Sequence, residues 1–126
     1  MKEKPLLAAG CEKLISLAGE TQFTPNGIVS RTVFATPATR IILFGFAPGQ
    51  ELTEHTSARH ALVQMLSGEC EFTVVGRKQT LKTGDFLHLP PGLPHAVLAT
   101  QQFAMLLTLT QPAELSPSAK KLISPL

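Results

Sequence analysis

Between Glu69 and Val75 apolar and polar residues alternate, with Cys70, Phe72 and Val74 set against Glu69, Glu71 and Thr73. A period of two sends the first set to one face of a strand and the second set to the other. Runs of the same kind, short, rich in β-branched and aromatic residues and closed by Gly or Pro, fill the chain downstream of the Pro25-Asn26-Gly27 turn. They predict strands over Ile28–Thr36, Arg40–Ala47, Glu51–His55, Ala61–Ser67, Glu69–Val75, Gln79–Lys82, Asp85–Leu89, His95–Ala99 and Phe103–Thr110. With no helical segment between them to carry a parallel crossover, they predict an antiparallel sandwich or barrel. Phe103 to Leu109 is apolar on both faces, which marks a central strand or one at a subunit interface. Upstream, Leu14, Ile15, Leu17 and Ala18 have roughly helical spacing, predicting a short capping helix over Cys11–Ala18 that stops at Gly19. After Gln111-Pro112 the composition shifts to Ser, Pro, Ala and Lys. The expected organisation is an N-terminal helical segment over 1–26, a barrel over 27–112 and a tail over 113–126, the tail broken at Pro117 and tacked down by Leu115, Leu122 and Ile123.

Composition changes that picture in a few places. At 126 residues the chain can bury one core without disulfides or a structural metal. Hydrophobic residues make up 44% and charged residues only 16%, a surplus that predicts apolar surface buried between two copies in a homodimer. The net charge of +2 is spread thinly, the densest basic pairs being Arg77-Lys78 and Lys120-Lys121, and there is no Trp or Tyr. Neither a basic patch nor stacking surface for bases is present, so no nucleic-acid partner is expected. Cys11 and Cys70 lack metal-ligand or CxxC spacing and no apolar signal segment precedes them, so free thiols in a reducing cytoplasm are expected. Alternation makes Cys70 a small buried hydrophobe. No apolar run reaches the ~18 residues of a membrane span, so no membrane association is expected.

The chemistry-bearing stretch is Gly84 to His95, Gly-Asp-Phe-Leu-His-Leu-Pro-Pro-Gly-Leu-Pro-His. Gly84 turns the chain, a short strand runs to Pro90, and Gly92 permits a second tight turn that delivers His95 at the start of the next strand. This stretch resembles the second motif of the cupin family, Gly-x5-Pro-x-Gly-x2-His, at every position up to His95. The family's Asn further along is replaced by Ala99, beyond the ligand. Upstream, Gly49, His55 and Gly68 stand at the fixed points of the first cupin motif, while Ser57 replaces its second histidine and Ala61 its acidic ligand. The resemblance, over residues 40 to 110, is to a small, single-domain, RmlC-like cupin. It implies an all-β, antiparallel double-stranded β-helix or jelly-roll barrel with a short N-terminal helix, and a metal pocket inside the barrel.

Carried onto this chain, the resemblance makes His55 and His95 ligands of a divalent ion, Mn, Fe, Ni or Zn. His60 stands beside the lost carboxylate, and rotating it inward would complete a three-histidine set. Ser57, Ala61, Met65 and His88 are the candidate lining of a pocket for a small carboxylate or enol-like molecule. Without the acidic ligand, a bound ion would keep its full charge and polarise an anionic ligand more strongly. Dioxygenase, isomerase and decarboxylase chemistry are all compatible with such a set, since one fold hosts many activities. The alternative is a metal-free ligand-binding or sensor module, in which Ser57 and Ala61 make room for the ligand. Gln64 faces away from the pocket unless a bulge shifts its register. Ser57, His55 and Asp85 hold the residue types of a nucleophilic triad, but no nucleophile elbow surrounds Ser57. Glu51 and Glu54 read as solvated.

Overall fold

The computed structural model describes residues 4–112. Nine strands form two antiparallel sheets: β1 Ile28–Ala35, β2 Thr39–Phe46, β3 Glu51–His55, β4 His60–Ser67, β5 Glu69–Val74, β6 Arg77–Lys82, β7 Phe86–Leu89, β8 His95–Leu98 and β9 Phe103–Thr110. One sheet has the order β1-β2-β9-β4-β7 and the other β3-β8-β5-β6. Every expected strand is present, with ends moved by two residues at most. The fold is the double-stranded β-helix.

The alternation read from sequence decides which faces meet. Cys70, Phe72 and Val74 of β5 face Val63 and Met65 of β4 and Phe103 and Met105 of β9 in one buried cluster. Phe46 and Phe103 stack with ring centroids 4.4 Å apart, and both are fully buried. Each contributes about 2–3 kcal/mol from removing its ring from water. β9 pairs with β2 on one side and β4 on the other along its whole length, which makes it the central strand of its sheet. Gly68 closes the β4–β5 turn at φ +70°, where a Cβ would collide with the Gln102 carbonyl.

The N-terminal helix differs from expectation. It is a single turn, α1, over Leu17–Glu20, not a helix over Cys11–Ala18 ended by Gly19. Ser16 is its N-cap, accepting from Gly19 N at 3.0 Å, so Gly19 lies inside the turn. Leu14 is 93% exposed. Only Ile15 and Leu17 of the apolar set are partly buried while Leu14 and Ala18 are exposed, so no continuous apolar stripe is covered, and a short helix is unstable without one. What fixes this segment is β1 and β2. Arg31 Nη1 donates to both Glu20 Oε2 at 2.8 Å and the Glu20 carbonyl at 2.7 Å, and the small Gly45 lets Gln22 and Phe23 lie against β2. The expected tail and its anchors Leu115, Leu122 and Ile123 lie outside the described residues. Among the described residues no helix is long and apolar enough to cross a membrane.

Candidate metal-binding site at the barrel mouth

His55 ends β3 and His95 opens β8, and the two are paired across adjacent strands. Alternation alone would not have faced them the same way. Leu52 is paired with Val97, which points into the core, so an unbroken β3 would set Glu54 opposite His95. Between Leu52 and His55 the register slips by one residue, and this bulge turns His55 to the side that His95 occupies. The second turn of the loop before β8 sets the height of His95: Gly92 has φ +86°, a region that side chains other than glycine enter only with strain. Its N–H donates to the Ser57 carbonyl at 2.8 Å, tying the β7–β8 loop to the β3–β4 loop.

The rings meet edge to face, centroids 4.3 Å apart. His55 Nδ1 lies 2.8 Å from the Thr53 carbonyl and His95 Nδ1 lies 2.9 Å from the Leu93 carbonyl. A carbonyl oxygen can only accept, so in each neutral ring the proton sits on Nδ1 and the lone pair on Nε2. Fixing the tautomer through a backbone carbonyl is how metal-binding imidazoles are oriented. His55 is exposed at the mouth, whereas His95 is buried and lies parallel to Phe72, centroids 6.0 Å apart and planes 13° from parallel. Burial pushes the His95 pKa below the usual imidazole value; the Leu93 carbonyl opposes this and the neighbouring His55 adds to it. The neutral, lone-pair-bearing form is therefore the resting one at neutral pH.

The structure does not bring His60 to this pair. Ala61, Val63 and Met65 of β4 are buried in the core, so His60, Leu62 and Gln64 take the opposite face of the strand. His60 instead packs on His88 of β7, which likewise alternates with the core-packed Leu87 and Leu89. Among the described residues no three of His, Cys, Asp and Glu are placed to hold one ion. Ala61 and Met65 do face inward, both nearly inaccessible, with Met65 Sδ 3.9 Å from Cys70 Sγ. Burial drives the Cys70 thiol up to about 12, consistent with an inert packing residue. Ser57 is half-buried in the loop, its Oγ accepting from Arg59 N at 3.1 Å. Asp85 caps its own turn, accepting from Lys82 N at 2.8 Å, and so takes no part in a triad. Gln64, Glu51 and Glu54 are exposed. The main register shift of β4 falls after Met65, too late to turn Gln64 inward. A surface cleft of about 380 Å³ lies at the N-terminal segment around Phe23, Asn26 and Pro48 and has no titratable lining. Three groups of the site were not found from sequence: Phe72, which alternation with Cys70 and Val74 already pointed inward, and the Thr53 and Leu93 carbonyls, which carry no sequence signal.

Residues 42–110 match the model of the cupin domain family. Among solved structures, the chain is similar to a conserved protein of unknown function from Streptococcus pyogenes, at 29% identity and TM-score 0.77, over 90% of this chain and 98% of that one. A cupin superfamily protein from Desulfitobacterium hafniense is 26% identical at TM-score 0.76, covering 88% of this chain and 99% of that one. A cupin 2 conserved barrel domain protein from Leptotrichia buccalis is 35% identical at TM-score 0.74, over 77% of this chain and 47% of that longer one. No curated protein matches the chain. With the two-sheet topology, the Gly84-to-His95 turn and strand, and a family match over more than half its length, the chain belongs to the cupin family.

Proposed function

We propose that the barrel mouth is a pocket in which His55 and His95 hold a divalent ion, Mn, Fe, Ni or Zn, for a small carboxylate or enol-like ligand. The observation that carries this reading is the matched pair of tautomers: two facing imidazoles, each with Nδ1–H given to a carbonyl two residues back, so that both Nε2 lone pairs are available. Two protein ligands leave several coordination positions to water and ligand. When bound, the ion supplies Lewis acidity toward a carboxylate or enolate oxygen, undiminished by any carboxylate at Ala61. The chain's own residues orient the two lone pairs, keep His95 deprotonated and cover one side of its ring with Phe72. A metal-free ligand-binding or sensor pocket is the second reading, favoured by Ser57 and Ala61 standing where the family pattern has ligands.

Metal analysis of untagged protein, reloaded with Mn(II), Fe(II), Ni(II) or Zn(II) after mild chelation, separates the two. His55→Ala and His95→Ala should each lose most of the Mn(II), Fe(II) or Zn(II) and one equivalent of Ni(II), and His88→Ala should retain the Mn(II) and Fe(II) occupancy. If the wild-type protein holds less than about a tenth of an equivalent of every metal, the metal reading fails and the metal-free one stands.

A further inference from the structure

The chain has four histidines, and the structure divides them into two pairs on different sheets. The second pair is unused by the barrel site. His60 of β4 and His88 of β7 are diagonal neighbours on the outer face of the five-stranded sheet, since Ala61 is paired with Leu89 and Leu62 with His88. His60 Nδ1 and His88 Nε2 are 2.9 Å apart, with ring centroids at 5.1 Å and planes 25° from parallel. Two neutral imidazoles at that distance share one proton, one nitrogen donating and the other accepting. The same two nitrogens suit a metal ion, which takes the place of the shared proton.

The geometry points to a second, outward-facing metal site at His60 and His88 that takes Cu(II) or Ni(II) with water as the remaining ligands. Ligand type selects the ion class: a pair of imidazole nitrogens with no third protein ligand favours the divalent ions at the top of the affinity order, Cu(II) and then Ni(II). His88 is exposed and His60 half-buried, so the two rings can turn until both lone pairs meet at one point and water can fill the other positions. The site is independent of the barrel reading, because its side chains leave the sheet on the face opposite Ala61, Val63 and Leu89.

The test is a Cu(II) titration of untagged protein, followed by calorimetry and by the electron paramagnetic resonance spectrum. Because His60, His88, His55 and His95 are all the histidines present, the double variant His55→Ala/His95→Ala retains this pair alone. It should bind one equivalent of Cu(II) with a two-nitrogen imidazole signature, and adding His88→Gln should abolish that equivalent. In the wild-type background, where the buried His95 is untouched, His88→Gln should likewise reduce the Cu(II) stoichiometry by one and leave the circular dichroism spectrum unchanged. Wild-type and His88→Gln proteins binding Cu(II) with equal stoichiometry and affinity would overturn the assignment.

Discussion

His95 is a titratable group whose surroundings favour the neutral ring, and that has a consequence for stability. Its folded pKa lies below the ordinary imidazole value of about 6.5 because burial penalises the charge. Below about 6.5 the unfolded chain takes up this proton more readily than the folded one, so the unfolded state gains as pH falls. The contribution is fully present above that pH and is lost as pH drops from about 6.5 toward the folded value. Metal-free wild-type protein should therefore lose stability across that window more steeply than His95→Gln in denaturant unfolding; parallel pH profiles for the two would contradict it. Gly92 makes a second residue-scale prediction. A Cβ there meets nothing within 4 Å, so the cost of substitution lies in the backbone at φ +86° and not in crowding. Gly92→Val should destabilise by about 1–2 kcal/mol, and an unchanged melting temperature would show that the turn relaxes freely.

Elements in this molecule are held less by their own propensity than by what they lie on. The single turn of α1 buries none of its residues, yet Arg31 reaches it from β1 with two contacts to Glu20. The pair is partly exposed, with side chains 26% and 34% accessible, so its contribution is modest. Arg31→Ala should cost about 1 kcal/mol and raise amide exchange in residues 17–22 while the strand amides keep their protection. Uniform loss of protection across the sheets would mean that Arg31 supports the barrel itself. The same dependence on a partner explains β3. Its sequence, Glu-Leu-Thr-Glu-His, carries no sign of a bulge, and only the pairing with β8 shows the extra residue that brings His55 round to His95.

At the scale of the whole molecule, the apolar surplus remains to be accounted for. β9 is internal to its sheet, and the outer edge of β1 is already met by the N-terminal segment, Leu6 N and Leu7 N donating to the Thr32 and Val33 carbonyls. Phe86 on the opposite edge strand is 67% exposed. A homodimer is expected, and light scattering that finds a monomer at micromolar concentration would refute it. Much of the architecture was legible along the chain: nine strands, the inward set Cys70, Phe72 and Val74, the outward Gln64, and the turn that presents His95. These follow from local rules, because alternation reports burial and glycine reports unusual backbone without reference to any partner. Helix length, the facing of His55 and the partner of His60 were not legible, since each depends on contacts between residues distant in sequence. His60 stands one position from the family's carboxylate, and in sequence that is adjacency. In a strand one position is the opposite face, so Ala61 takes the inward place and His60 meets His88 outside. The sequence by itself determined the fold and the turn that presents His95 at its mouth; the tertiary structure decided how the four histidines divide, because pleat and register convert a single residue of offset into the thickness of a sheet.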